Sequence, residues 1–219
     1  MIITFSGMDG AGKSSQIELL IKRLNEEGYS TTKIWSRGGY TPGFVLLKSL
    51  LRKIMRKSVP PSGRSAERTR LITNPRMSRL WLALAIADMI LLYGIKFRIQ
   101  SLLGKIVICD RYLDDTRLDF ALNFPHVQSE KMWLWKLLQW STPKPNVSFL
   151  LLLPVKISIE RSKVKNEPFP DDEVTLVDRL NAYSDSRIFL RSRYILIDGN
   201  DSINDISTDI NDKVFECLK

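Results

Sequence analysis

Cysteine and histidine are nearly absent. The 219 residues hold two cysteines, Cys109 and Cys217, and one histidine, His126. Two cysteines are too few for a disulfide framework or a thiolate zinc site, and one histidine excludes a His-rich metal centre. The chain opens Met1-Ile2-Ile3-Thr4-Phe5, with no basic stretch ahead of a signal-type apolar run, so a cytoplasmic location is expected. Long apolar runs are missing too. A spanning helix wants about 20 apolar residues. The longest run here, Leu80–Tyr93, is shorter and holds Asp88 near its middle, so it reads as a buried core helix. Hydrophobic residues at 44% and charged residues at 26% exclude disorder, collagen-like structure and coiled coil. The length fits one domain, residues 1–219.

Acidic residues are scarce in one place. From Leu46 to Arg79 ten basic residues face one acid, Glu67, an excess that equals the +9 net charge of the whole chain. Such a cluster points to an anionic partner: phosphates, nucleic acid or a lipid surface.

Periodicity supplies the elements. Met1–Ser6, Thr32–Ser36, Ile106–Asp110, Val147–Leu153 and Tyr194–Asp198 read as strands. Lys13–Glu27, Phe44–Arg56, Met77–Leu102, Glu130–Trp140, Val155–Lys165, Thr175–Phe189 and Ile203–Cys217 read as helices, the third of them as one long helix or a pair. Gly28 stands where a helix C-cap belongs. Residues 37–43 form a loop by their turn residues, and 59–75 have no clear period. Five strands alternating with helices predict an α/β fold with a parallel sheet.

The strongest motif is Gly7-Met8-Asp9-Gly10-Ala11-Gly12-Lys13-Ser14, a complete G-x-x-x-x-G-K-[ST] between a strand and an amphipathic helix. Its glycines let backbone N–H groups turn inward around phosphate oxygens, and the helix N-terminus adds its partial positive charge. Gly7 and Asp9 to Ser15 are therefore the expected phosphate cradle. Lys13 would reach the β- and γ-phosphates of ATP, and the Ser14 hydroxyl would ligate Mg²⁺. Lys13 is expected to lie exposed in that cradle. Asp9 is unfavourable beside phosphates unless it has a separate task, such as accepting a hydrogen bond from an acceptor hydroxyl; the alternative is a solvated loop carboxylate.

Gly7–Ser15 with Gln16, Arg37-Gly38-Gly39 after the second strand, Asp110-Arg111-Tyr112 after the third and Ile197-Asp198 before the last helix together resemble the thymidylate kinases. The resemblance runs over nearly the whole chain in the same order. It implies a three-layer P-loop kinase with a five-stranded parallel sheet, a small lid over ATP at about residues 160–175, and a homodimer. It also implies transfer of the γ-phosphate of MgATP to dTMP or a related nucleotide. By resemblance Asp9 lies at the acceptor sugar, Arg37 and Arg111 hold the acceptor phosphate with Tyr112 beside them, and Asp110 belongs to the Mg²⁺ and transfer site. Where some relatives carry an arginine in the phosphate loop this chain has Gly10, so the lid must supply cations. Arg161, Lys163 and Lys165 match that lid run, with two lysines replacing forked guanidinium groups.

Three departures concern the acceptor. Ala85, Met89 and Phe120 stand where the family carries an aromatic face for thymine, an arginine and an amide, and Asp115 and Asp119 replace a serine and a tyrosine. A P-loop kinase of the same fold acting on a sugar or lipid phosphate is therefore an alternative, as is a non-catalytic ATP-binding protein. A basic segment with Trp133, Trp135 and Trp140 leaves peripheral membrane contact open, although a core or dimer face is the favoured reading. No nucleic-acid-binding motif is visible.

Overall fold

The computed structural model describes residues 1–36, 74–164, 173–185, 189 and 191–218. The expected loop at 37–43, the helix at 44–56, most of the segment 59–75 and the lid residues 165–172 lie outside the described residues. The chain divides into two compact units, one made of residues 1–35, 99–118 and 144–219, the other of 36–98 and 119–143.

The first unit holds a five-stranded parallel sheet. Strands β1 (Ile2–Gly7), β2 (Thr31–Trp35), β3 (Ile106–Asp110), β4 (Val147–Leu152) and β5 (Ile195–Asp198) lie in the order β2-β3-β1-β4-β5. Every residue of β1 and β3 is buried, as continuous apolar runs in a parallel sheet require. Parallel pairing in register, with Phe5 opposite both Asp110 and Phe149, brings the C-terminal ends of β1 and β3 to one edge. Ligands of open α/β sheets bind at that edge, beside the strand where the connections reverse direction.

Helix α1 (Lys13–Glu26) turns Ile17, Leu20 and Leu24 into the core. It ends as the sequence predicts: Gly28 has φ +84°, and the N–H groups of Gly28 and Tyr29 close on the Asn25 and Leu24 carbonyls. The last helix of the chain, Ile203–Glu216, buries Ile206, Ile210 and Val214 and is capped by Ser202.

In the second unit, α2 (Pro75–Met89) starts on an Asn74 cap with Pro75 in its first turn. It runs through a π-helical stretch, Ile90–Lys96, into α3 (Phe97–Leu102), so the expected long helix is one continuous run with widened turns. Only one side of it is core. Leu82, Ala85, Ile86, Met89 and Tyr93 are buried, whereas Leu80, Leu91 and Ile95 are half or more exposed. The expected buried core helix is thus buried along one side only. Pro75–Leu102 is long and apolar enough to cross a membrane by length and composition, with a third of its most apolar window buried.

Helix α4 (Leu113–Asn123) has no counterpart among the expected elements, because its apolar residues do not gather on one side. The expected helix 130–140 begins later, as α5 (Trp133–Ser141), after a short 3₁₀ turn at Ser129–Lys131. Its Ser141 lies so close to Gly94 that a Cβ on the glycine would sit 3.2 Å from the serine Cβ. Two further helices, α6 (Val155–Val164) and α7 (Glu173–Ser184), return to the first unit, and the Ile203–Glu216 helix is α8.

Candidate active site

The site is built on the end of β1. Gly7 has φ +138°, and a Cβ there would stand 2.1 Å from the Leu151 carbonyl oxygen, so only glycine lets β1 pass β4 into the loop. Gly10 and Gly12 are also left-handed, at φ +77° and +85°. Gly12 forms the N-cap of α1, and no side chain caps the helix start. Its backbone N–H groups are thereby left for a ligand.

Lys13 is not exposed. It is 7% accessible, and its ammonium donates to the carbonyls of Gly7 at 3.0 Å and Met8 at 2.6 Å. Burial lowers its pKa first, and the nearby Arg111 lowers it further; Asp9, Asp110 and Asp115 oppose the shift. The expectation of an exposed lysine fails because the ammonium satisfies its donors on the loop it belongs to. Ser14 is partly exposed and Ser15 exposed in the first turn of α1.

Asp9 is not a solvated carboxylate. Its side chain is 15% exposed and accepts from the Arg111 guanidinium at 2.6 Å. The same loop is held from α6, where the buried Ser158 hydroxyl donates to the Asp9 carbonyl at 2.6 Å. Arg111 is itself 4% exposed and follows directly on β3. Tyr112, beside it, is buried. Asp110 closes β3 at 7% exposure, and its Oδ1 has no hydrogen-bond partner among the described residues. A buried carboxylate oxygen without a donor, at the end of β3 beside β1, suits a hard divalent cation. Ser14 and Asp110 thus fit Mg²⁺, whereas clusters of three or more His, Cys, Asp or Glu are absent among the described residues.

Arg161, in the last turns of α6, donates to the Gly199 carbonyl at 2.8 Å. Gly199 is tightly placed, since a Cβ there would meet the Ala11 carbonyl oxygen of the phosphate loop at 3.3 Å. Arg161 is therefore anchored on a neighbour of the loop. The side chain of Lys163, and Arg37 and Lys165 altogether, lie outside the described residues.

Sequence reasoning missed Tyr183, Ser6 and Ser158, and took Asp115 only as a departure from the family. Asp115 had a signal: three residues after Tyr112, it stands where a helix's third position reaches back to the cap. Tyr183 had none, because its contacts are made across the fold, to Gly7 and Asp115.

A strand, a glycine loop and a helix start bearing Lys13 and Ser14, on a five-stranded parallel sheet with an arginine at the adjoining strand end, define a P-loop kinase. The thymidylate kinase family pattern matches residues 5–210, and the chain belongs to that family. It is similar to a thymidylate kinase of Bartonella henselae, 28% identical over 96% of this chain and 93% of the relative. A thymidylate kinase of Thermosipho africanus is 27% identical over the whole of both chains. One of Thermomicrobium roseum is 30% identical over 74% of this chain and 67% of the relative. As a family member the chain is a phosphotransferase of the nucleoside monophosphate kinase class.

Proposed function

We propose that this chain transfers the γ-phosphate of MgATP to the phosphate of a nucleoside monophosphate, dTMP or a related nucleotide. The observation that supports this most is the Arg111–Asp9 pair, 2.6 Å apart at the phosphate loop that holds Lys13. A guanidinium placed there offers a planar fork for an acceptor phosphate, and a neutral hydroxyl acceptor has no use for it.

On this reading the β- and γ-phosphates draw the Lys13 ammonium off the Gly7 and Met8 carbonyls, and the backbone N–H groups of Gly10 to Ser15 close around them. Arg111 and Arg37 hold the acceptor phosphate in line, with Tyr112 beside them. Asp9 keeps Arg111 in place and accepts from the acceptor sugar. Arg161 leaves Gly199 and joins Lys163 and Lys165 when the lid closes, adding charge around the equatorial oxygens and excluding water. Ser14 and Asp110 would hold Mg²⁺, which when bound would supply positive charge beside the transferring group.

A related nucleotide, rather than dTMP, is favoured by the second unit. Ala85, Met89 and Phe120 are 1%, 0% and 3% exposed, and the Phe120 ring meets Trp135 edge-on at 6.1 Å. These positions are spent in packing. A panel of nucleoside monophosphates, with sugar and lipid phosphates beside them, assayed for ADP release tests the reading. A kcat/KM for dTMP above about 10⁵ M⁻¹s⁻¹, well inside the ordinary range for enzymes, would make dTMP the acceptor. Release with sugar or lipid phosphates alone would overturn the nucleotide acceptor. We infer a cytoplasmic homodimer. Leu80, Leu91 and Ile95, at 54%, 59% and 51% exposure, support an apolar contact between copies.

A further inference from the structure

Arg111 has φ +71°, a left-handed conformation that non-glycine residues adopt at a cost. Its surroundings must over-determine it. One anchor is the Arg111 N–H, which donates to the Phe5 carbonyl at 2.8 Å. The other is Asp115, 1% exposed. Its Oδ2 accepts from the Tyr112 N–H at 3.1 Å and from the Ser6 hydroxyl at 2.5 Å. Its Oδ1 accepts from the Tyr183 hydroxyl at 2.9 Å, and that hydroxyl also lies 3.1 Å from the Gly7 carbonyl. One carboxylate therefore ties together the end of β1, the turn that carries Arg111, and α7.

Starting a helix does not need this. The bond from Tyr112 to Asp115 is the reach-back half of a capping box, which an exposed Glu or Gln would make as well. Burial is unfavourable for the carboxylate, and desolvation is the largest influence raising its pKa. Ser6 and Tyr183 have no part in the helix start either. What they and Asp115 share is contact with the two segments that flank the site.

We propose that Asp115 is a positioning residue for Arg111, fixing the left-handed turn so that the guanidinium meets Asp9 at the phosphate loop. The proposal rests on the kinase reading for its kinetic consequence and on geometry alone for its structural one. Asp115 touches no reacting atom. Its effect passes through Arg111, and therefore falls on the acceptor more than on ATP.

Two variants separate the bonds. Asp115→Ala removes every acceptor. Asp115→Asn keeps an oxygen for Tyr112 and Ser6, while its amide N–H faces the Tyr183 oxygen and leaves the tyrosine proton to Gly7. The readouts are crystal structures of both variants and steady-state kinetics with ATP and dTMP. In Asp115→Ala the Arg111 turn should leave the left-handed region and the Asp9 pair should open. The KM for dTMP should rise about tenfold or more while the KM for ATP stays within about threefold. Asp115→Asn should keep the pair and restore the dTMP KM to within about threefold of the parent. Adding Arg111→Ala to Asp115→Ala should raise the dTMP KM no further, as for residues acting as a unit. If Asp115→Ala does not fold, Asp115→Leu fills the volume without an acceptor and is read in the same way. An intact Arg111 turn and Asp9 pair in the variant lacking acceptors overturns the proposal, as do equal rises in both KM values. Absence of dTMP-dependent ADP release by the parent protein removes dTMP as the acceptor, and the Arg111–Asp9 distance in the variants still decides the positioning role.

Discussion

Lys13→Ala separates the hydrogen bonds this lysine makes to its own loop from the role proposed for it in transfer. The ammonium makes two charge-assisted hydrogen bonds, to Gly7 at 3.0 Å and Met8 at 2.6 Å. Each is worth about 1.5–3 kcal/mol, so losing both costs about 3–6 kcal/mol. Against this stands the relief of burying an ammonium, several kcal/mol in magnitude, and of its repulsion from Arg111. The two nearly cancel, leaving a stability change within about 2 kcal/mol of either sign. For a chain of this length that shifts Tm by less than about 8 °C. Turnover responds differently. Removing a preorganised charge aimed at the transferring group costs about 10²-fold or more, at least about 2.7 kcal/mol of barrier. The assay is ADP release at 25 °C, well below the melt, with the melt recorded on the same samples. Lys13→Met, which keeps the aliphatic stem, controls for lost packing. Turnover within about threefold of the parent in a folded variant would refute the assignment of the phosphate loop.

Other outcomes follow from the same geometry. Arg161→Ala should lower kcat more than it raises the KM for ATP, because the side chain must leave Gly199 to act and so serves the closed state; an effect confined to the KM for ATP would refute this. Gly7→Ala forces a Cβ to within 2.1 Å of the Leu151 carbonyl oxygen at a positive φ, and should lower stability by about 3 kcal/mol or more, seen as a drop of roughly 6–12 °C in Tm. Burial pushes the Asp88 carboxyl up to about 6 from its ordinary 3.8, so the folded chain holds that proton more tightly than the unfolded one. The stability it contributes is present below about pH 4 and is lost as pH rises through about 6. Asp88→Asn should therefore raise Tm at pH 8 and remove that decline; for a partly buried group the gain is about 1 kcal/mol after screening. A parent protein whose Tm falls no faster than that of Asp88→Asn between pH 4 and 7 would refute it.

The sheet was legible because its strands announce themselves. Ile106–Cys109 and Phe149–Leu152 are continuous apolar runs, and parallel strands buried on both sides need such runs. The phosphate loop was legible because its function fixes residue types at fixed spacing. What escaped was of two kinds. Leu113–Asn123 escaped because the helix is held by contacts on several sides, so no periodic apolar stripe marks it. The burial of Lys13 escaped because a motif states which groups can meet a ligand and not which loop carbonyls those groups bond. Trp135, for which a core or dimer face was the favoured reading, is buried and meets the ring of Phe120, a departure from the family, in a core.

The placement of these residues bears on how such a chain can change its acceptor. Lys13, Asp9, Asp110, Arg111 and Arg161 all belong to the first unit, on strand ends and on the loops that leave them. Ala85, Met89 and Phe120 all belong to the second, and each is buried in it. Transfer chemistry needs charge at fixed positions, so the unit built on a parallel sheet tolerates little change at those strand ends. Base recognition needs stacking and a few hydrogen bonds, worth roughly 1–3 kcal/mol each. On the proposed function, alanine in place of an aromatic face and methionine in place of an arginine remove those contacts while leaving the phosphate-binding side chains of the first unit untouched. On that function the chain is expected to keep phosphoryl transfer and to discriminate weakly among bases. The phosphate of the acceptor then matters more than its base, and the ratio of kcat/KM values across nucleoside monophosphates should be compressed relative to an enzyme that stacks thymine.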